Sequence, residues 1–179
     1  MIPYYWVGMD GMTLLLILLT LITLHLRFIP LLFAFLLSIQ HFEQAFISFG
    51  VLFATLLIHY LVTKHIQSLQ LIKKIFFLLI VLAFTRFLML KIFNYMEVGL
   101  VGDRSLYLKA NIHTFISMFK ANWYIILYTF LGIGWLFVLN YFKLLWPVLV
   151  AVVIVFFVTI IVGDQTRIGA ILLFPPLVS

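Results

Sequence analysis

An all-α bundle that crosses the membrane several times is the fold class this sequence predicts, and three observations carry it. Of its 179 residues, 66% are hydrophobic and only 9% charged, with a mean hydropathy of +1.30. That leaves too little polar surface to solvate a globular domain of this length. The apolar residues also come in long uninterrupted runs. Lipid satisfies no backbone N–H or C=O, so runs of this kind favour helices over short alternating strands. Third, the five carboxylates, Asp10, Glu43, Glu97, Asp103 and Asp164, all avoid the short basic turns between runs. With no cysteine in the chain there is no disulfide framework and no thiolate chemistry.

The elements follow in chain order. Residues 11–26 form the first apolar run, carrying Thr13, Thr20, Thr23 and His25 and stopping at Arg27 and Pro30. The preceding MIPYYWVGMDG has no early positive charge and no small-residue cleavage pattern, so it does not read as a signal peptide. Its Tyr4, Tyr5 and Trp6 suit a membrane interface. Residues 31–39 are too short to cross, because a span needs about 20 residues at about 1.5 Å each. They meet the polar cluster Gln40-His41-Phe42-Glu43-Gln44, and a second run over 45–63 follows. The expectation is a helical hairpin with a short first arm and the polar cluster at its tip; a long tilted helix with a polar middle competes with it.

A basic connector over 64–74 leads to a span over 75–93 that contains Arg86. In the long loop beyond, Leu108, Ile112, Phe115, Ile116 and Phe119 recur at helical spacing, with Lys109, His113, Ser117 and Lys120 opposite them. That pattern predicts an outer amphipathic helix over 105–121 lying in the interface plane. Spans over 123–142 and 144–162 and a short re-entrant segment over 168–179 complete about five or six membrane segments in one domain. The glycines Gly132 and Gly134 read as sites of close helix packing. Positive charges in the shortest turns, Arg27, Lys64, Lys73, Lys74 and Lys143, put those turns in the cytoplasm and the N-terminus outside. The expected location is a bacterial inner membrane, with the carboxylates on the outer face.

Four features could carry chemistry. His41 and Glu43, with Gln44, must face protein or water, since burying them in lipid is costly; they either form an acid–base set with a residue from another helix or satisfy backbone groups freed at a hairpin turn. Their spacing matches no metal-ligand pattern, so no metal or other cofactor is implied. Arg86 lies about 16 Å into its span, too deep to snorkel easily, and by default marks a functional site. Asp164 and Arg167, three apart in Gly-Asp-Gln-Thr-Arg, either cap a turn or act as base or metal ligand (Asp164) and anion clamp (Arg167). Lys109 and Lys120 either sit on a packing helix or hold anionic head groups. The net charge of +6 is spread over both membrane faces and no soluble basic module exists, so nucleic acid is not an expected partner.

The polar hairpin, the basic outer helix, Gly-Asp-Arg at 102–104 and Gly-Asp-Gln-Thr-Arg at 163–167 together resemble the multi-span envelope proteins of bacteria that act on lipid-linked sugars. These are the membrane-embedded glycosyltransferases and O-antigen polymerases. The resemblance covers scattered loop motifs, and such enzymes have more spans than this chain. It also stops soon after Pro175-Pro176, as a fragment or one half of a larger assembly would. The resemblance implies transfer or polymerisation of a lipid-linked glycan at the outer face. Asp164 or Glu43, with His41, would be the general base and Asp103 a weaker candidate. Arg86, Arg104 and Arg167 would hold the pyrophosphate, with Lys109 and Lys120 contacting the amphiphile. Membrane lipids and further membrane subunits are the expected partners. Two other classes stand beside this one: a transporter subunit with a polar path through Glu43, His41 and Arg86, and a non-catalytic assembly subunit.

Overall fold

The computed structural model describes residues 2–96, 104–132, 134–140, 142–161, 172–173 and 175–176. They are helical with no strand. Six α-helices follow one another: α1 (Ile2–Ile22), α2 (Ile29–Thr63), α3 (Ile66–Tyr95), α4 (Arg104–Leu131), α5 (Gly134–Asn140) and α6 (Phe142–Val158). Short 3₁₀ turns extend α1 over Thr23–His25 and α6 over Thr159–Ile161. Two of the helices, α2 and α3, are long and apolar enough to cross a membrane. The apolar stretches Gly11–His25 and Leu145–Val158 are shorter. Among the described residues, length and composition therefore support two spans, where the sequence led us to expect about five or six.

Helix α2 is the centre of the molecule, and its backbone leaves helical conformation at His41 (φ −154°, ψ 69°). The neighbours on α3 show what the break does. Beyond it, Phe42 lies by Arg86, Phe53 by Phe76 at 5.9 Å between ring centroids, and His59 by Ser68 at 3.1 Å. Residues 42–63 therefore run antiparallel to α3. Before the break, Leu31 shares a groove with Phe77 and Leu78, while Ser38 Oγ donates to the Leu82 carbonyl at 3.2 Å. Residues 29–40 run in the same direction as α3. A straight 35-residue helix would separate Leu31 from Leu78 by about 25 Å or more along the axis, so the chain turns back at His41.

The two arms share one core. Ala34 and Leu37 from the first, Ala45, Phe49 and Leu52 from the second, Leu16 and Ile17 from α1, and Ile75, Leu78 and Leu82 from α3 pack together. Most of these are fully buried. The opposite side of the second arm, at Ile47 and Val51, meets α4 and α6 in a second core with Ile126, Phe130, Ala151, Val152 and Val155. His59 stacks on Trp146 of α6, 5.4 Å between ring centroids, so this histidine is held by packing and by Ser68. Of the expected segment 168–179, Leu172 and Leu173 are buried in the second core.

Several boundaries differ from the expectation for identifiable reasons. α1 begins at Ile2, taking in Tyr4, Tyr5 and Trp6: Pro3 falls in the first turn, which tolerates it, and the helix continues through Gly8 and Gly11. The connector 64–74 shrinks to Lys64 and His65, and Lys73 and Lys74 lie on α3. The segment over 105–121 and the one over 123–142 are not separate. One helix runs from Arg104 to Leu131, since no Gly or Pro interrupts it, and it stops at Gly132 with φ +51°. Gly132 is a helix terminator, not a packing contact: nothing lies within 4 Å of where a Cβ would sit. The amphipathic pattern still sorts by exposure, with Phe115 buried and Lys109, His113, Ser117 and Lys120 exposed.

Helical threonines settle their own hydrogen bonds. Thr20, Thr55 and Thr63 donate to carbonyls four residues back, at 2.7 to 2.8 Å. This lets hydroxyls sit in apolar helices without a tertiary partner.

Candidate functional site

Where α2 turns back, polar side chains gather. Ser38, Gln40, His41, Glu43 and Arg86, with Ile39 and Phe42, line a cavity of about 110 Å³. The sequence explains the clustering locally. A reversal frees backbone groups that no helix satisfies, and in an apolar stretch those groups need polar neighbours. The five residues from Gln40 to Gln44 include four polar ones, and the break falls among them.

Each wall has a distinct anchor. Gln40 Nε2 donates to Thr13 Oγ1 of α1 at 3.4 Å, tying the tip of the hairpin to the first helix. Ser38 ties the first arm to the Leu82 carbonyl of α3. Arg86, half-buried, sets its guanidinium over the ring of Phe42, 5.8 Å from Cζ to the centroid. A cation over an aromatic face gains about 0.5–2 kcal/mol, more where water is excluded. A guanidinium also carries five N–H donors that can reach an anion. His41 and Glu43 are both half-buried in the same wall.

The volume restricts the chemistry. Pockets for drug-sized molecules span about 300–1,000 Å³. A cavity of about 110 Å³ takes a phosphate-sized group or a few waters and excludes a sugar chain. With an arginine, an imidazole and a carboxylate in its walls, it can bind an anion and pass a proton.

Three expected site residues, His41, Glu43 and Arg86, thus meet in one chamber. Lys109 and Lys120 do not line it; both are exposed on α4. Arg104 opens α4. Asp103, Asp164 and Arg167 lie outside the described residues. No group of three or more His, Asp or Glu side chains able to hold a metal occurs among the described residues.

Sequence reasoning placed Gln40 and Gln44 in the polar cluster but missed Thr13, Ser38 and Ser48. Gln44 and Ser48, one helical turn apart, are buried with Oε1 and Oγ making no hydrogen bond. A single polar residue in an apolar run carries no signal, but Gln44 and Ser48, four apart beyond the break, share one face of the second arm.

No family model, curated protein or solved structure matches this chain.

Proposed function

We propose that this is an integral membrane protein that binds the anionic head of an amphiphile in the chamber formed by His41, Glu43 and Arg86. The observation that carries the reading is an arginine deep in an apolar helix, lining a small polar cavity beside a carboxylate and an imidazole. Intramembrane ionisable groups are costly and belong at functional sites. The membrane placement rests on two helices of spanning length and on charge position. Arg27 and Lys64 in the turns, and Lys73 and Lys74 in the first third of α3, all lie toward the end of the bundle away from the chamber, and basic residues close to the ends of spans favour the cytoplasmic side. In this reading the N-terminus is outside, the membrane is a bacterial inner membrane, and residues 29–40 form a re-entrant arm.

The substrate class we favour is a lipid-linked glycan. The chamber would hold one phosphate of the pyrophosphate through Arg86, with the rest of the head and the sugar chain at its mouth because the volume admits only a phosphate-sized group. For transfer, Glu43 would accept the proton of an acceptor sugar hydroxyl, whose oxygen bonds the anomeric carbon as the bond to the lipid pyrophosphate breaks. The pyrophosphate leaves with the electron pair, its charge held by Arg86. Asp164, Asp103, Arg104, Arg167, Lys109 and Lys120 remain candidates in this scheme from sequence position.

The broken α2 favours one second reading, a transporter subunit. Discontinuous helices commonly build ion and substrate sites within membranes.

A photoreactive polyprenyl-pyrophosphate sugar, added to membranes containing the full chain, separates these. Labelling of the wild type that falls at least tenfold in Arg86→Gln, at equal membrane abundance, supports the proposal. Equal labelling of both removes Arg86 and the chamber from substrate binding.

A further inference from the structure

A second cavity lies at the opposite end of the hairpin. It has a volume of about 310 Å³ and is formed where the turn between α1 and α2 crosses α3. Three basic groups line it, His25, Arg27 and Lys74, together with apolar Leu31, Phe77 and Leu78. Lys74 lies twelve residues before Arg86 on α3, which puts this groove about 18 Å from the chamber along the helix. The two cavities are separate sites at different depths.

Among the described residues that line it there is no carboxylate. No Asp or Glu occurs anywhere in 11–42 or 44–96, the stretches that build this end of the bundle. Arg27 is exposed, with the ring of Phe28 beneath its guanidinium at 5.5 Å. Lys74 is exposed too, and spends one of its three ammonium donors on the Leu24 carbonyl at 3.1 Å. Exposed Phe28 and Phe77 flank the basic groups. The groove therefore offers hydrogen-bond donors and positive charge at one level and bare aromatic and aliphatic surface beside it. That is the division of an anionic phospholipid, with a phosphate above acyl chains.

We infer that the groove between the α1–α2 turn and α3 is a binding site for an anionic phospholipid, its phosphate held by Arg27 and Lys74 and its chains lying on Phe77 and Leu31. The inference rests on the membrane placement proposed above and not on any chemistry at His41, Glu43 or Arg86. Basic pockets between membrane helices on the cytoplasmic side bind such head groups, and each basic contact near the surface is worth about fivefold in affinity.

The test uses the full chain purified in detergent and titrated with phosphatidylglycerol or chain-matched phosphatidylcholine, with bound lipid counted by native mass spectrometry. The wild type is expected to hold phosphatidylglycerol at least fivefold more tightly than phosphatidylcholine. Arg27→Gln should lose about fivefold of that preference. Lys91→Gln, which removes an exposed lysine elsewhere on α3, should keep it. Arg27 makes no contact that the fold depends on, so unchanged far-UV circular dichroism is expected in the variant, and Arg27→Lys should retain part of the preference. Equal affinity for the two lipids, or a preference that Arg27→Gln leaves intact, overturns the inference. So does displacement of phosphatidylglycerol by millimolar inorganic phosphate, which would make this a site for a soluble anion. Carbonate extraction of the wild type from membranes distinguishes the two levels of failure. A chain released by carbonate contradicts the membrane placement itself, whereas a retained chain without lipid preference contradicts this site alone.

Discussion

Ser48 is fully buried and its hydroxyl has no partner, an unusual state for a serine in a helix whose threonines bond the preceding turn. A buried hydroxyl without a hydrogen bond costs about 1–3 kcal/mol relative to its hydrated form. Ser48→Ala should therefore raise stability by about 1 kcal/mol, read as a higher unfolding midpoint in a fixed detergent. A loss of stability would mean that ordered water satisfies the hydroxyl and that the polar face at Gln44 and Ser48 is wet. Arg86 sits at the other extreme. Its ring contact with Phe42 is a modest reward for holding a guanidinium in an apolar helix, which is why we assign it a ligand. Composition alone singled out Arg86, His41 and Glu43, because a charged or titratable side chain is conspicuous in a chain with so few. Gln40 stood out as part of the polar cluster, but the Ser38 hydroxyl and the partner of Gln40 were not legible. Thr13 and Gln40 lie 27 residues apart and meet only through tertiary packing.

Helix ends in this chain are set by a few backbone positions, and Gly132 is the clearest. Its φ of +51° is a left-handed conformation that costs an L-residue about 1 kcal/mol, while the space around it is open. Gly132→Ala should accordingly destabilise by about 1 kcal/mol through the backbone alone. A shift of several kcal/mol in the chemical unfolding midpoint would instead point to a packing role. Hydropathy located the apolar runs but misjudged where one helix passes into the next. Lys120-Ala121-Asn122 is polar enough to suggest a boundary, yet all three residues are compatible with a helix and α4 continues through them. The break at His41 was easier to place. It falls within the polar cluster of an otherwise apolar stretch, and there is neither Pro nor Gly in 31–49 to produce a kink elsewhere.

At the scale of the whole molecule, the arrangement is a hairpin held between α1 and α3, with a polar chamber at its tip and a basic groove at its base. Reading the chain as all helical followed directly from its hydropathy. The relation between the two cavities did not, because it depends on residues 29–40 running with α3 while 42–63 run against it. The proposed chemistry and the lipid site both require that reversal, so it is the claim to test first. The absence of cysteine makes paired spin labels straightforward. Leu32→Cys and Leu57→Cys place labels on two exposed positions of α2, one on each arm. Pulsed dipolar spectroscopy in nanodiscs should give a distance under about 25 Å, from arms packed about 10 Å apart and offset by a few turns. A distribution centred near 37 Å, about 25 residues of continuous helix, would contradict the reversal and dissolve both sites with it.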